Sequence, residues 1–516
     1  MATTWTIEID WDRNNNFTGT YDDVTDRVID ARWSLGFKEP YQVAPHNSVL
    51  QLTLSNHDKR YSPEYGDSPL YGELASFRPV RIQSDDGVTV RTHWTGWIED
   101  IQPTVNQYGE RIVEIKAAGP GQFFRYTDTD IELQENKRTD EIIEALLQEV
   151  VIPPALTRAW LLGNADYGKL GSNTYLADVT IDYTLQQGKT TLAYAADNWV
   201  RQSDDGKRDT FNVYRAIEDT VAAEQGRFFF DRDGQAVFWN RHHLLVPPDD
   251  PVAFDDTMTD LDYSFAALDE FKNEVVVTCH PREISVSDDE LLWRLDKPIT
   301  LQPNQSREVG ASYHDDSDKR IGGRNVRLEN VTFSKGDASI VFEGKANRAT
   351  LKITNTSKKK KAVLETTEVR GQKITDFGSM EATSRNNRSI AYYGLRKLSL
   401  NLSAVDDFEF AQSIADFEKG RRSEPSGKVR TITLKSHGTL GGGQHAYQLN
   451  LTIGSLIRVQ ESQTGHDQTY WIIGEVHKLS DSATLLETTW YLESATAGGW
   501  WILGTSELGK DTHLAY

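Results

Sequence analysis

Two blocks near opposite ends of the chain repeat one pattern, and that repetition constrains the fold more than any other feature. Val80-Arg81-Ile82-Gln83 leads through the turn residues Ser84-Asp85-Asp86-Gly87 to Trp94-Thr95-Gly96-Trp97-Ile98. Ile457-Arg458-Val459-Gln460 leads through Gln463-Thr464-Gly465 to Trp471-Ile472-Ile473-Gly474-Glu475-Val476. Trp94 follows Ile82 by 12 residues, and Trp471 follows Val459 by 12. An alternating run precedes each block, Val49–Leu54 in one and Val429–Lys435 in the other. Period-two alternation puts apolar side chains on one face of a strand, so both blocks read as half-buried antiparallel sheet. Chance likeness is the competing explanation, because β-hairpins share composition.

The rest of the chain falls into a multidomain plan that is mainly β with an α+β middle. Residues 1–125 read as a first β-barrel of short strands and turns, closed off by Gly119-Pro120-Gly121. Residues 126–270 read as a mixed α+β domain. Ile142, Ile143, Leu146, Leu147 and Val150 recur at helical spacing behind the acidic start Thr139-Asp140-Glu141, and Pro153-Pro154 ends the run. A second helix over Val213–Glu224 stops at Gly226 and feeds the hairpin Arg227–Phe230, Asp231-Arg232-Asp233-Gly234, Gln235–Trp239. Residues 271–311 and 375–495 read as a second barrel, related to the first, with a helix near Asp407–Gly420. Residues 312–374 read as an inserted small β-sandwich, and 496–516 as a C-terminal arm.

At 516 residues the chain exceeds a single core, and 38% hydrophobic content excludes a disordered chain. The formal net charge of −21 excludes a general polyanion-binding surface, which needs clustered Lys and Arg. The run Lys358–Lys361 reads as a solvated hairpin tip. One cysteine, Cys279, sits in an apolar run and builds neither a disulfide framework nor a thiolate zinc site. The N-terminus shows no secretion signal and no stretch approaches the ~20 apolar residues of a membrane span. The expectation is a chain made and assembled in the cytoplasm.

The candidate sites are few. Asp10, Asp12, Asn14 and Asn16 offer oxygen ligands at the spacing of the start of a calcium loop, with Asn15 available for the tight turn. The twelfth position is Tyr21 where such a loop carries Glu, and a polar hairpin loop is the simpler reading. No other cofactor site stands out. His242-His243 lacks a third ligand at zinc spacing, and His466 and His477 have no acidic or nucleophilic companion in a recognisable pattern. No G-x-S-x-G, H-E-x-x-H or P-loop sequence occurs, so the chain does not read as an enzyme. With 77 Asp plus Glu, some carboxylate pair always lies near glycosidase spacing, and that abundance is no evidence.

The segments WTIEIDWDRNNNF, YDDVTDRVIDARWSLG, SVLQLTLSNHDKRYSPE and WTGWIEDIQP, then FKNEVVVTCHPRE, then SIAYYGLRKLSLNL and YWIIGEVHKLSDSATLLETTWYLES resemble the tail hub (tail-associated, minor tail protein) family of long-tailed bacteriophages. The resemblance covers the chain except about residues 312–374, and its motifs are strand and turn patterns without a catalytic signature. It implies a structural hub at the distal tip of the virion tail. A homotrimer of two-barrel chains would make a ring joining the sixfold tail tube to threefold tip components. The implied partners are a distal tail or tail tube protein, the tape-measure protein and tail fibre or tip proteins, with DNA only in transit during ejection. The alternatives are a distal tail ring protein, a receptor- or glycan-binding tip protein with the inserted sandwich as its module, and a cell-wall glycoside hydrolase.

Overall fold

The computed structural model describes residues 3–14, 16–45, 47–106, 108–129, 131–150, 152, 181–197, 199–202, 208–245, 251–265, 271–376, 378–438, 443–481 and 483–495. It is mainly β, with several sheets and several cores. Its largest element is a 12-stranded sheet. Six strands come from the N-terminal region: β1 (Thr4–Ile9), β2 (Val28–Gly36), β3 (Val49–Ser55), β4 (Pro79–Asp85), β5 (Val90–Val105) and β6 (Arg111–Ala118). Six more come from later in the chain: β7 (Val252–Phe254), β8 (Asp260–Phe265), β9 (Gly427–His437), β10 (Leu456–Glu461), β11 (His466–Ser480) and β12 (Leu485–Ser494).

The spatial order within the first six is β1-β4-β5-β6-β3-β2, and within the second six it is β7-β10-β11-β12-β9-β8. The two orders are the same permutation. The agreement extends to irregular features. β5 and β11 are both long, pairing first with the hairpin partner before them and then with the one after. Each slips by one residue at its bend, between Ile98 and Asp100 against β6, and between Ile472 and Gly474 against β12. A bulge of this kind turns a strand and raises its twist. Just before β4, Phe77 has φ 61°, and just before β10, Gly454 has φ 90°. Phe77 N donates to Ile98 O and Ile98 N to Arg78 O, while Gly454 N donates to Ile472 O and Ile472 N to Ser455 O. One direction differs, since β1 runs antiparallel to β4 and β7 parallel to β10.

These matches correct one spacing argument. Ile82 does stand opposite Trp94, but Val459 stands opposite Gln468, and Trp471 lies opposite Leu456. The aligned bends make Trp97 the counterpart of Trp471. The shared 12-residue step is a coincidence of hairpins with different turns: the two blocks fall in equivalent strands, but Val80–Ile101 corresponds to Ile457–Glu475, and Lys478 is the counterpart of Thr104.

The sheet runs through both units without a break, because β2 pairs with β11 from Ala31↔Leu479 to Gly36↔Gly474. Strand pairing among the described residues follows an open path, so neither unit is shown as a closed barrel. In the first unit β1 reaches the approach to β2 through the isolated Glu8↔Asp23 bridge and the Ile7 N–Thr25 Oγ1 hydrogen bond, with no strand ladder between them among the described residues. Alternation explains the burial: in β3, Leu50, Leu52 and Leu54 point inward and Val49, Gln51 and Thr53 do not. One core takes Trp5, Trp33, Leu52 and Trp94 from the first unit together with Trp471, Ile473 and Leu479 from the second. A separate core, including Ile432, Ile457, Ile472 and Trp490, fills the second unit.

Strand membership departs from the division read off the sequence. β7 and β8, from the stretch assigned to the mixed domain, complete the second unit. Glu274–Cys279, assigned to the second barrel, instead lies between Met380–Arg385 and Lys397–Leu402 in a three-stranded sheet covered by the helix Phe408–Arg422. That sheet shares its core with the helices Thr139–Glu149 and Val213–Glu224 and the Arg227–Trp239 hairpin. The inserted β structure also starts earlier than residue 312. Arg282–Ile284, Glu290–Arg294, Ile299–Leu301 and Gly322–Lys335 all pair with Ala362–Asp376. A second sheet of Ser306–Ser312, Arg348–Thr354 and Ser339–Gly344 contributes to the same core. Sequence order misleads here because strands several connections apart become neighbours, and composition carries no sign of which sheet a strand joins. The arm at 496–516 and Pro153-Pro154 lie outside the described residues.

Candidate functional site: the joint between the two units

The backbones of the two units come close together where β2 joins β11. Gly36 and Gly474 face each other there, and both are required by space. A Cβ on Gly474 would stand 2.0 Å from Phe37 O, and one on Gly36 would stand 2.5 Å from Ile473 O with φ at 74°. Such distances exclude any side chain without backbone movement.

A charged finger locks the joint. In the turn Asp231-Arg232-Asp233-Gly234, Asp231 Oδ1 accepts from Asp233 N and Gln235 N, which shapes the hairpin tip. The tip sends Arg232 into the second unit. Its Nε donates to Glu475 Oε1 at 2.7 Å and its Nη2 to Glu475 Oε2 at 2.7 Å. The remaining donors reach Leu449 O at 3.0 Å and Leu451 O at 2.8 Å. Burying two charges costs several kcal/mol per ion unless the pair is bidentate and otherwise satisfied, as it is here. Burial alone would raise the Glu475 carboxyl, but the Arg232 charge and hydrogen bonds overcome it and hold the carboxyl well below the usual range.

Two histidines extend the cluster. His477 lies on the same strand face as Glu475, with Nε2 3.3 Å from Glu475 Oε2 and Nδ1 3.0 Å from Thr488 Oγ1. Its ring stacks on Trp33 across the joint, centroids 5.1 Å apart. His93, from the first unit, pairs through Nε2 with Ser84 Oγ at 2.7 Å and has its centroid 6.2 Å from that of His477. Burial pushes both imidazoles down, and for His93 the Arg232 charge adds to the effect. A serine, two imidazoles and a carboxylate are the residue types of acyl transfer. Ser84 is 1% exposed and His93, Glu475 and His477 are 0% exposed, so no substrate atom reaches Ser84 Oγ in this structure. The cluster is suited to holding two units together.

A second buried pair supports the same joint. Glu493, on β12, accepts from Arg227 Nη2 at 2.6 Å and Tyr41 N at 2.7 Å. The Arg421 and Arg422 guanidinium carbons lie 4.3 and 3.7 Å from the centroid of the Tyr41 ring. A cavity of about 150 Å³ beside it is lined by residues that include Tyr41, Lys272, Arg422, Lys428 and Arg430, a local excess of positive charge in an acidic chain.

The residues singled out from the sequence are scattered over the fold. Asp10 Oδ1 accepts from Asn14 N at 3.1 Å, Asp12 Oδ2 from Asn14 Nδ2 at 2.9 Å, and Asn14 Oδ1 from Asn16 N at 2.8 Å. The loop thus spends several of these oxygens on its own turns. Among the described residues no cluster of three or more His, Cys, Asp or Glu side chains is placed to hold a metal. His243 stacks on Trp239 at 4.1 Å, and His466 Nε2 pairs with Tyr470 OH at 2.8 Å. Cys279 is buried in its strand, and Lys358–Lys361 form an exposed loop. Sequence reasoning missed the Glu475–His477 pair, although an acid two residues before a histidine on an alternating strand is the available signal. Nothing local could announce Arg232, whose partner lies more than 200 residues away.

No family model and no curated protein matches the chain. The solved structures that it is similar to include a tail protein from Neisseria meningitidis MC58, at 9% identity and a TM-score of 0.46, covering 96% of this chain and 98% of that one. The 43 kDa tail protein of prophage MuSo2 from Shewanella oneidensis is 10% identical with a TM-score of 0.48, covering 96% and 99%. Prophage tail protein gp18 from Listeria monocytogenes EGD-e is 8% identical with a TM-score of 0.40, covering 95% and 94%. At such identities and TM-scores these likenesses transfer no residue role and no activity. Among the described residues no helix is long and apolar enough to cross a membrane.

Proposed function

We propose that the chain is a structural subunit of a phage tail, the hub at its distal tip, and that it performs no catalysis. The observation that carries this reading is the duplicated six-stranded unit, two copies joined into one sheet. A ring needs head-to-tail contacts that repeat with a constant rotation. A chain holding two equivalent units supplies two ring positions, so three chains supply six. Such a ring matches a sixfold tail tube on one side while presenting only three copies of everything else. The extra domains between β8 and β9 are then available to threefold tip components. In this reading the acidic chain, at −21, would line a passage that repels DNA phosphates and keeps transit unhindered.

Counting copies tests the proposal. Quantitative mass spectrometry of purified tails, scaled to the tail tube subunit, is expected to give three copies per tail located at one end. Six copies would instead support a distal ring protein, and a count unrelated to three or six would remove the adaptor reading.

A further inference from the structure

The joint between the units is a template for a contact that the single chain leaves unmade. Within the chain, β2 lies along the second half of β11. The counterpart of β2 in the second unit is β8, and among the described residues β8 pairs only with β9. The counterpart of that half of β11 is Asp100–Val105 of β5, which among the described residues pairs only with β6. We infer that β8 of one copy adds as an antiparallel strand to the Asp100–Val105 edge of a second copy, repeating between chains the joint that β2 and β11 make within one. This rests on the ring proposed above and names its contact.

The register follows from the template. Ala31, Trp33 and Leu35 stand opposite Leu479, His477 and Glu475. Leu261 shares the pairing position of Ala31, since Leu261↔Ile432 and Ala31↔Leu52 are equivalent. Transferring the register sets Leu261 opposite Val105, Tyr263 opposite Pro103 and Phe265 opposite Ile101 of the second copy. All three pairs are apolar, and they fall on one face. Phe265 is 71% exposed and Val105 is 55% exposed in the single chain, which is the exposure such a joint would remove. Leu261 and Tyr263 already pack against the core of their own unit, as Ala31 and Trp33 do. The alternate positions Asp262 and Ser264 meet Thr104 and Gln102, which are polar on both sides.

Two features temper the edges. Pro103 has no N–H to give, so the joint between chains has one donor fewer than the joint within. Asp260 and Asp262 discourage random pairing of β8. An edge that must stay unpaired until assembly needs such devices.

The test is a double variant, Thr104→Cys with Asp262→Cys, both exposed positions set directly opposite by the register. Directly paired Cα atoms lie about 4.5–5.5 Å apart, within reach of a disulfide. Oxidation of the assembled protein is expected to give covalent species ending at three chains, while Asp262→Cys with Tyr108→Cys gives none. Three-copy rings seen by electron microscopy without cross-linking would overturn this joint and leave the hub proposal standing. Failure of the unmodified protein to form any ring, alone or in tails, would overturn both.

Discussion

The two six-stranded units share a strand order but differ in what their connections hold. Between its second and third strands the first unit has only residues 37–48, whereas the second unit has residues 266–426, including the three-stranded sheet and all of the inserted β structure. The units also differ in charge at the same place. Glu475 of β11 carries a buried ion pair, and its counterpart on β5 is Ile101, half-buried on a free edge. The topology is therefore indifferent to insertions and to a buried charge, provided the bends and pairings survive. A strand with a partner can hold glycine and carboxylate, and one awaiting a partner holds Ile101, Pro103 and Val105.

That contrast gives graded ways to break it. Gly474→Val is expected to have the largest effect, because its side chain has no space beside Phe37 O. A loss beyond about 4 kcal/mol, or failure to fold, is expected from urea denaturation. The counterpart change, Asp100→Val on the open edge, is expected to stay within about 0.5 kcal/mol in the isolated chain. Equal losses would deny that the two edges differ in occupancy. Arg232→Met comes next, leaving Glu475 buried without its partner, at a cost of about 3–5 kcal/mol. Adding Glu475→Ile, the residue type of the other unit, should recover most of it, and no recovery would show the pair to be more than a replaceable brace.

Acidity probes the same place more gently. Both buried imidazoles titrate below 6.5 when folded. From about pH 6.5 downward the unfolded chain takes up protons that the folded joint refuses, so stability falls as pH falls. Glu475, held below 4.5, adds a further loss that begins as pH drops through about that value. Melting temperatures measured from about pH 7.5 to 5.5 should decline, and His477→Gln should flatten the decline. An unchanged slope would place the sensitivity elsewhere. Among the changes at a buried glycine the smaller effect is expected from Gly454→Ala, about 1–2 kcal/mol in urea denaturation, since φ is 90° and Trp239 lies 2.9 Å from the added carbon.

Much of this architecture was legible in particular residues. The helices at Thr139–Glu149 and Val213–Glu224 follow from apolar spacing, an acidic start in one and Asn212 capping the other. The hairpin at Arg227–Trp239 follows from its Asp/Gly turn, and both echoing blocks fall in equivalent strands. Sheet membership was not legible. Val252–Phe254 is only three residues long and pairs with a strand more than 200 residues later, a choice made by the whole core and not by local pattern. The joint was hidden for the same reason. Gly36, Gly474, Arg232 and Glu475 look ordinary in sequence and become a site only when distant strands meet.

The central claim is that two units per chain occupy equivalent ring positions. Electron microscopy of intact tails, averaged along the tail axis without imposed sixfold symmetry, measures this directly. The expected image is a six-lobed ring of three chains in which two lobe types alternate, each fitted by one of the six-stranded units. A ring of six identical lobes, or three lobes with the second unit lying outside the ring, would contradict it.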